Sequence, residues 1–198
     1  MTTTFVVADL HFGHEGMCRF LAEDGTKIRP WDNLKDMDEA LIANWNTVVR
    51  PTDKVYVLGD VAMKSKHLPS IHECRGEKIL IKGNHDQGKL NEYVRYFRDI
   101  RACHQLSGCL LSHIPIHPDS LARWRANIHG HLHTRQVMTS GVPDPRYICV
   151  SVEQTGFRPI AWDDVLKRLP APCPYGQRGC PGGAACTCAL PVAAGTGS

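Results

Sequence analysis

The chain has 198 residues, 42% of them hydrophobic and 22% charged, and its 23 basic residues are nearly matched by 20 acidic ones for a formal charge of +3. That length suits one domain with a sizeable core, and no apolar stretch approaches the roughly 20 residues that a membrane span needs. So small a charge permits a phosphate-bearing substrate but predicts no long DNA footprint. The opening Met1-Thr2-Thr3-Thr4 has no basic segment and too short an apolar run after it for a signal peptide, so the chain is expected to be cytoplasmic.

In chain order, the first predicted strand is Phe5-Val6-Val7-Ala8, which runs into Asp9 and, two residues on, His11. Asn33 with Asp36 resembles a helix-capping arrangement, and Met37, Leu41, Trp45 and Val48 then recur at helical spacing until Pro51 stops the run. A second strand, Val55-Tyr56-Val57-Leu58, ends at Gly59-Asp60, and a third, Ile79-Leu80-Ile81, leads to Gly83-Asn84-His85-Asp86. Leu90, Val94 and Phe97 mark a second helix. Cys109-Leu110-Leu111-Ser112 ends at His113, and Asn127-Ile128 opens into His129-Gly130-His131-Leu132-His133. Residues 146–152 read as a late strand, and residues 163–169 as a short helix, acidic at its start and basic at its end as the helix dipole prefers.

Five strand-like runs therefore each end in a residue of metal-ligand type. In an α/β sheet, sites form outside the carboxyl ends of the strands, so these residues should converge in one cleft. Carboxylates, imidazoles and one amide suit a pair of divalent cations of intermediate softness. The reading from the residues alone is a dinuclear metal hydrolase, with Asp60 as the carboxylate between the two cations, because two oxygens on one side chain make a bridge.

The order D-x-H, G-D, G-N-H-D, H, G-H-x-H, from Asp9 to His133, resembles the calcineurin-like metallophosphoesterase superfamily. The resemblance implies an α/β fold, a four-layer-type sandwich of two mixed β-sheets flanked by helices. By the family pattern Asp9, His11 and His133 complete one metal position, and Asn84, His113 and His131 complete the other. The cations are manganese, iron, zinc or nickel, since affinity order and cellular supply both decide the choice. The family scheme leaves His85 off the metals, and an imidazole near its ordinary pKa can donate a proton to a departing alkoxide. Asp86 is expected to hydrogen-bond His85 and hold its tautomer, His14 to reach the substrate edge, and Arg29, with Lys64 and Lys66, to contact phosphate. His129 falls outside the ligand pattern and reads as structural.

The function so implied is hydrolysis of a phosphate ester by a hydroxide held between the two metals, with His85 as general acid. Ser/Thr protein phosphatases carry an arginine shortly after G-D and read G-N-H-E; here Val61-Ala62-Met63 follows Asp60 and the later motif ends in Asp86. The chain resembles instead the small phage and bacterial phosphoesterases, whose opening is similar to Asp9-Leu10-His11-Phe12-Gly13-His14. A phosphodiester, from a nucleotide or a nucleic-acid end, is the first choice of substrate. A phosphomonoesterase, or a non-catalytic scaffold with the same fold, are the alternatives.

The metallophosphoesterase domain is expected over residues 1–169. From Pro170 onward Pro and Gly dominate and no apolar period survives, so 170–198 reads as a disordered tail. It holds Cys173, Cys180, Cys186 and Cys188, spaced as none of the usual zinc patterns; free thiols, a small zinc knot and a protein-partner site all stay open. Cys18, Cys74, Cys103, Cys109 and Cys149 are expected as small buried hydrophobes in a reducing compartment.

Overall fold

The computed structural model describes residues 1–170. The expectations placed on residues 171–198, the four clustered cysteines among them, lie outside the described residues. Among the described residues eleven strands form: β1 (Thr4–Val7), β2 (Lys54–Val57), β3 (Glu77–Ile81), β4 (Asp99–Arg101), β5 (His104–Leu106), β6 (Cys109–Leu111), β7 (Asn127–His129), β8 (Met138–Thr139), β9 (Val142–Pro143), β10 (Tyr147–Cys149) and β11 (Ile160–Ala161). The α-helices are α1 (Leu34–Val48), α2 (Leu90–Tyr93) and α3 (Trp162–Arg168), joined by several 3₁₀ segments.

Two mixed sheets carry the molecule. The first runs β11-β1-β2-β3-β4, with β1 to β4 parallel and β11 antiparallel to β1. The second runs β10-β7-β6-β5, parallel except for β5. A separate hairpin pairs β8 with β9.

Parallel strands buried on both faces read as unbroken apolar runs, and this is why the first three strands stand out in the sequence. Alternate residues serve different cores. Val6, Ala8, Tyr56, Leu58, Ile79 and Ile81 face Cys109, Leu111, Ile128 and Ile148 of the second sheet, with Trp162 and Val165 of α3. Phe5, Val7, Val55, Val57 and Leu80 face the other way, onto Met37, Leu41 and Trp45 of α1 and onto Leu68 and Ile71 of the 3₁₀ segment Ser65–Glu73. Each such side chain contributes about 1.5–3 kcal/mol by leaving water. Over the outer face of the second sheet lies a thinner cover. Residues 114–124 dock there through the Ile116 amide, which donates to Asn127 Oδ1 at 3.0 Å, and through Tyr147 Oη, which donates to the Ile116 carbonyl at 3.0 Å.

Helix α1 starts where the sequence predicts, with Asn33 Oδ1 accepting from the Asp36 amide at 2.9 Å. The second helix is shorter than its apolar spacing suggests. Only Leu90–Tyr93 is helical, because Leu90 and Val94 lie exposed while Tyr93 and Phe97 make the burial. The late strand likewise ends at Cys149, since Val150 and Ser151 leave it to join the first sheet. That junction matters for function. The Ala8 amide donates to the Val150 carbonyl at 2.9 Å and the Val152 amide to the Ala8 carbonyl at 3.1 Å, so the carboxyl ends of β1, β7 and β10 are gathered at one edge. Among the described residues, no helix is long and apolar enough to cross a membrane. The five cysteines there are all free; four are buried, and Cys103 is exposed, against expectation, because it lies between the edge strands β4 and β5.

Candidate metal centre

The loop after β1 is stitched to the loop after β2: the Asp9 amide donates to the Gly59 carbonyl at 3.1 Å, and the His11 amide to the Asp60 carbonyl at 2.9 Å. These loops bend sharply. Eight non-glycine residues among those described have a positive φ, and five of them are Asp9 (60°), His11 (52°), Asp60 (54°), His131 (70°) and His133 (51°). The left-handed region costs an L-residue roughly 1–2 kcal/mol, and such strain collects at functional sites. Five of the seven residues expected to hold metal carry it. Neighbouring glycines let the loops close up. At Gly59 (φ +84°) a Cβ would stand 2.5 Å from His113 Nδ1, and at Gly130 one would stand 2.6 Å from Asp9 Oδ2.

Two clusters result. Asp9, His11 and His133 bring one donor atom each within 4.8 Å of one another, and so do Asp60, His113 and His131. Asp60 touches both: its Oδ2 lies 3.5 Å from His11 Nε2 and 3.3 Å from His113 Nε2. The imidazoles of His11 and His133 stack at 5.2 Å, and those of His113 and His131 meet edge to face at 5.2 Å. Asn84 joins the second cluster through Oδ1, 2.8 Å from His113 Nε2. The seven residues expected as ligands are therefore together, drawn from five separate stretches of chain.

The donor set fits divalent cations. Asp9 Oδ2 is occupied by the Ser151 hydroxyl at 2.6 Å and the His131 amide at 2.8 Å, leaving Oδ1 towards His11 Nε2 at 3.8 Å. Asp9 Oδ1 and both His11 nitrogens are buried without a hydrogen-bonding partner, a costly state for polar atoms unless a ligand meets them. At the second cluster, His113 Nδ1 lies 2.8 Å from the Leu58 carbonyl, which needs a donor there. His113 Nε2 is then left facing two further oxygens, Asn84 Oδ1 and Asp60 Oδ2. Positive charge is what such a place calls for.

Protonation in the metal-free chain follows the same field. Burial pushes the Asp9 carboxyl up to about 6 and holds His11 well below the ordinary imidazole range. Burial would lower His113 and His133 too, but the hydrogen bonds and charges of Asp60 and Glu153 respectively carry both above it. Burial works to raise Asp60, yet His113 and the His85 amide keep it below its ordinary value.

Two expectations are corrected. Arg29 is fully buried and points inward: Nη1 donates to the Leu10 carbonyl at 2.8 Å, Nη2 to the Asp9 carbonyl at 2.5 Å and Nε to Glu153 Oε1 at 2.8 Å. A side chain with its donors so placed has none to offer a substrate. Asp86 is the second. Its carboxylate accepts from the amides of Asp60 (2.9 Å), Val61 (3.0 Å) and Gly83 (2.9 Å), and among the described residues it makes no hydrogen bond to His85. Asp86 builds the turn that presents Asp60, and His85 is held instead by its own amide, which donates to Asp60 Oδ1 at 2.9 Å. Asp86→Asn is accordingly expected to lower stability by about 1–3 kcal/mol, since one backbone N–H loses its acceptor. Burial raises the Asp86 carboxyl, so removing its charge recovers part of that loss. Urea unfolding measures it; an unchanged midpoint would return Asp86 to a role outside the turn.

The rings of His85 and His14 both lie beside that of His11, with centroids 5.4 and 5.3 Å from it. Both are half-buried. His129 sits behind the centre, its Nδ1 against the Gly130 carbonyl at 2.8 Å, and burial lowers it to about 4. Lys64 and Lys66 are exposed at the start of the Ser65–Glu73 segment, whose His67 packs on Gly13. Ser151 and Glu153 were not singled out by the sequence. Ser151 holds Asp9, and Glu153 lies against His133 and Arg29. Neither stands in a motif; the sole sequence cue is the strand-like run that ends beside them.

No family model matches the chain. Over 177 residues it is 30% identical to the uncharacterized protein MJ1445 of Methanocaldococcus jannaschii, covering 85% of this chain and 92% of that protein. The chain belongs to the MJ1445 family. A likeness to the gene 66 protein of Mycobacterium phage L5 extends it, at 26% identity over 203 aligned positions and 83% and 93% of the two lengths. Among solved structures, a protein of unknown function from Aquifex aeolicus, AQ665, superposes with a TM-score of 0.62 and 25% identity, over 84% of this chain and 99% of that one.

Proposed function

We propose that this chain is a metal-dependent phosphoesterase of the calcineurin-like type, with phosphodiesters as its first class of substrate. The observation that carries the reading is Asp60 Oδ2, set between His11 Nε2 at 3.5 Å and His113 Nε2 at 3.3 Å, so that one carboxylate oxygen serves two clusters. Asp9, His11 and His133 would hold one cation, Asn84, His113 and His131 the other, and Asp60 both. When bound, such a pair supplies Lewis-acid neutralisation of phosphoryl charge and acidifies water, so no Ser or Cys nucleophile with a partner base is needed.

The remaining work belongs to side chains. His85 lies beside the first cluster, clear of its donor set, and would hand a proton to the departing oxygen of the ester. His14, also beside His11, would position the substrate, as would the exposed lysine pair at 64 and 66. Diesters are the first choice over monoesters because no arginine stands shortly after Gly59-Asp60 to take a dianionic phosphate, and Arg29 is committed to the interior.

Turnover of bis-(p-nitrophenyl) phosphate by the full chain, stripped with a chelator and then supplied with Mn²⁺, Ni²⁺ or Zn²⁺, tests this. Activity should vanish on stripping, return with metal and exceed that on p-nitrophenyl phosphate. Faster monoester turnover would reassign the substrate class. Two bound metals without turnover of either would leave a binding scaffold.

A further inference from the structure

Arg29 and Glu153 form an ion pair with side chains 0% and 1% exposed, 124 residues apart in sequence and directly behind the first cluster. Buried pairs are a poor source of net stability, since apolar residues of the same volume serve as well. This one is also oddly arranged. Arg29 Nε and Nη2 both reach Glu153 Oε1, at 2.8 Å each, and His133 Nδ1 reaches the same oxygen at 3.1 Å. Glu153 Oε2 is left buried without a partner. A pair built for its own sake would spread Arg29 over both oxygens; here one oxygen is aimed at His133. The other donors of Arg29 go to the Leu10 and Asp9 carbonyls, inside the strained Asp9-Leu10-His11 turn.

We propose that Glu153 is a positioning residue for the Asp9–His11–His133 position, fixing His133 with Nε2 as its ligand atom and, through Arg29, fixing the turn that presents Asp9 and His11. The inference rests on the metal-centre reading above. Because Glu153 accepts, His133 Nδ1 carries the hydrogen and Nε2 keeps its lone pair. A carboxylate behind a ligating imidazole also makes it a stronger donor. The equivalent place behind His113 is taken by the Leu58 carbonyl, at 2.8 Å from Nδ1, which is neutral. The two positions are therefore unequal, and the one backed by Glu153 is the tighter.

Calorimetric titration of the full chain with Mn²⁺ alone, with bound metal counted after dialysis, is the test. In a His113→Ala background, which isolates the first position, Glu153→Gln should weaken Mn²⁺ binding about 10–100-fold. Glu153→Asp should do the same while keeping a counter-charge for Arg29, so it carries the test if the glutamine variant fails to fold. In a His133→Ala background either change should cost clearly less, because the path through His133 is gone and only what Arg29 passes to the Asp9–His11 turn is left. Equal losses in both backgrounds, or no loss in a folded Glu153→Asp, overturn the proposal. Nitrogen NMR of the metal-free wild-type chain gives a readout without any variant: the hydrogen of His133 should be on Nδ1, and finding it on Nε2 alone overturns the proposal. Two bound cations without phosphoester turnover would sink the phosphoesterase reading and leave this one standing, whereas a chain that binds no Mn²⁺ overturns both.

Discussion

Asp60→Asn is expected to empty both metal positions at once, with a fall in turnover of more than about 10²-fold, beyond what loss of a ligand's hydrogen-bonding partner does. The reason is geometric. Asp60 Oδ2 is the atom the two clusters share, at 3.5 Å from His11 Nε2 and 3.3 Å from His113 Nε2, while Oδ1 is engaged by the His85 amide at 2.9 Å. An asparagine can satisfy that amide but has no charge left for the shared place. Asp9→Asn should act on one position, since Asp9 Oδ2 is already held by Ser151 and the His131 amide and only Oδ1 is turned to the first cluster. Metal counted after dialysis against a weak chelator separates the two variants. If Asp60→Asn keeps two tightly held metals and full activity, Asp60 is not the shared ligand.

His85→Ala should leave both metals bound and lower turnover about 10²–10⁴-fold on esters with alkoxide-like leaving groups. With nitrophenolate, which departs without much help from a proton, the same variant should lose far less. His85 is suited to this selective effect because its ring lies 5.4 Å from that of His11 while only its backbone amide is tied to a ligand. Asp86→Asn, by contrast, should reduce rates evenly across leaving groups, since Asp86 braces the Asp60 turn and does not touch the donor. Rates over esters of graded leaving-group pKa give the answer. Uniform losses for His85→Ala would move that residue from proton donation to substrate positioning.

Much of this architecture was legible in the chain because a parallel sheet covered on both faces demands continuous apolar strands. Val6-Val7, Val55-Tyr56-Val57 and Ile79-Leu80-Ile81 declare themselves for that reason, and each strand's carboxyl end marks where polar residues emerge. The Asn33 cap of α1 was legible for a similar reason, being a local bond three residues long. Elements with two or three residues, such as β4, β5 and β11, leave no period to detect, and they form because neighbouring strands offer them an edge. The second helix misled because Leu90 and Val94 are apolar and yet exposed.

The sequence by itself determined the kind of site. Residue types placed at strand ends settle which donors can meet, since strand direction brings all carboxyl ends to one edge, and all seven ligand candidates are there. Tertiary structure alone decided how those donors are held. Arg29 was expected to contact phosphate, but only the fold reveals Glu153, 124 positions away, taking its charge into the interior. Asp86 was read as a partner of its neighbour His85, whereas three backbone amides of two different loops claim it first. A side chain's type is a local property that survives in a string of letters; its partner is whatever the closing of distant loops places within about 3 Å, the reach of a hydrogen bond.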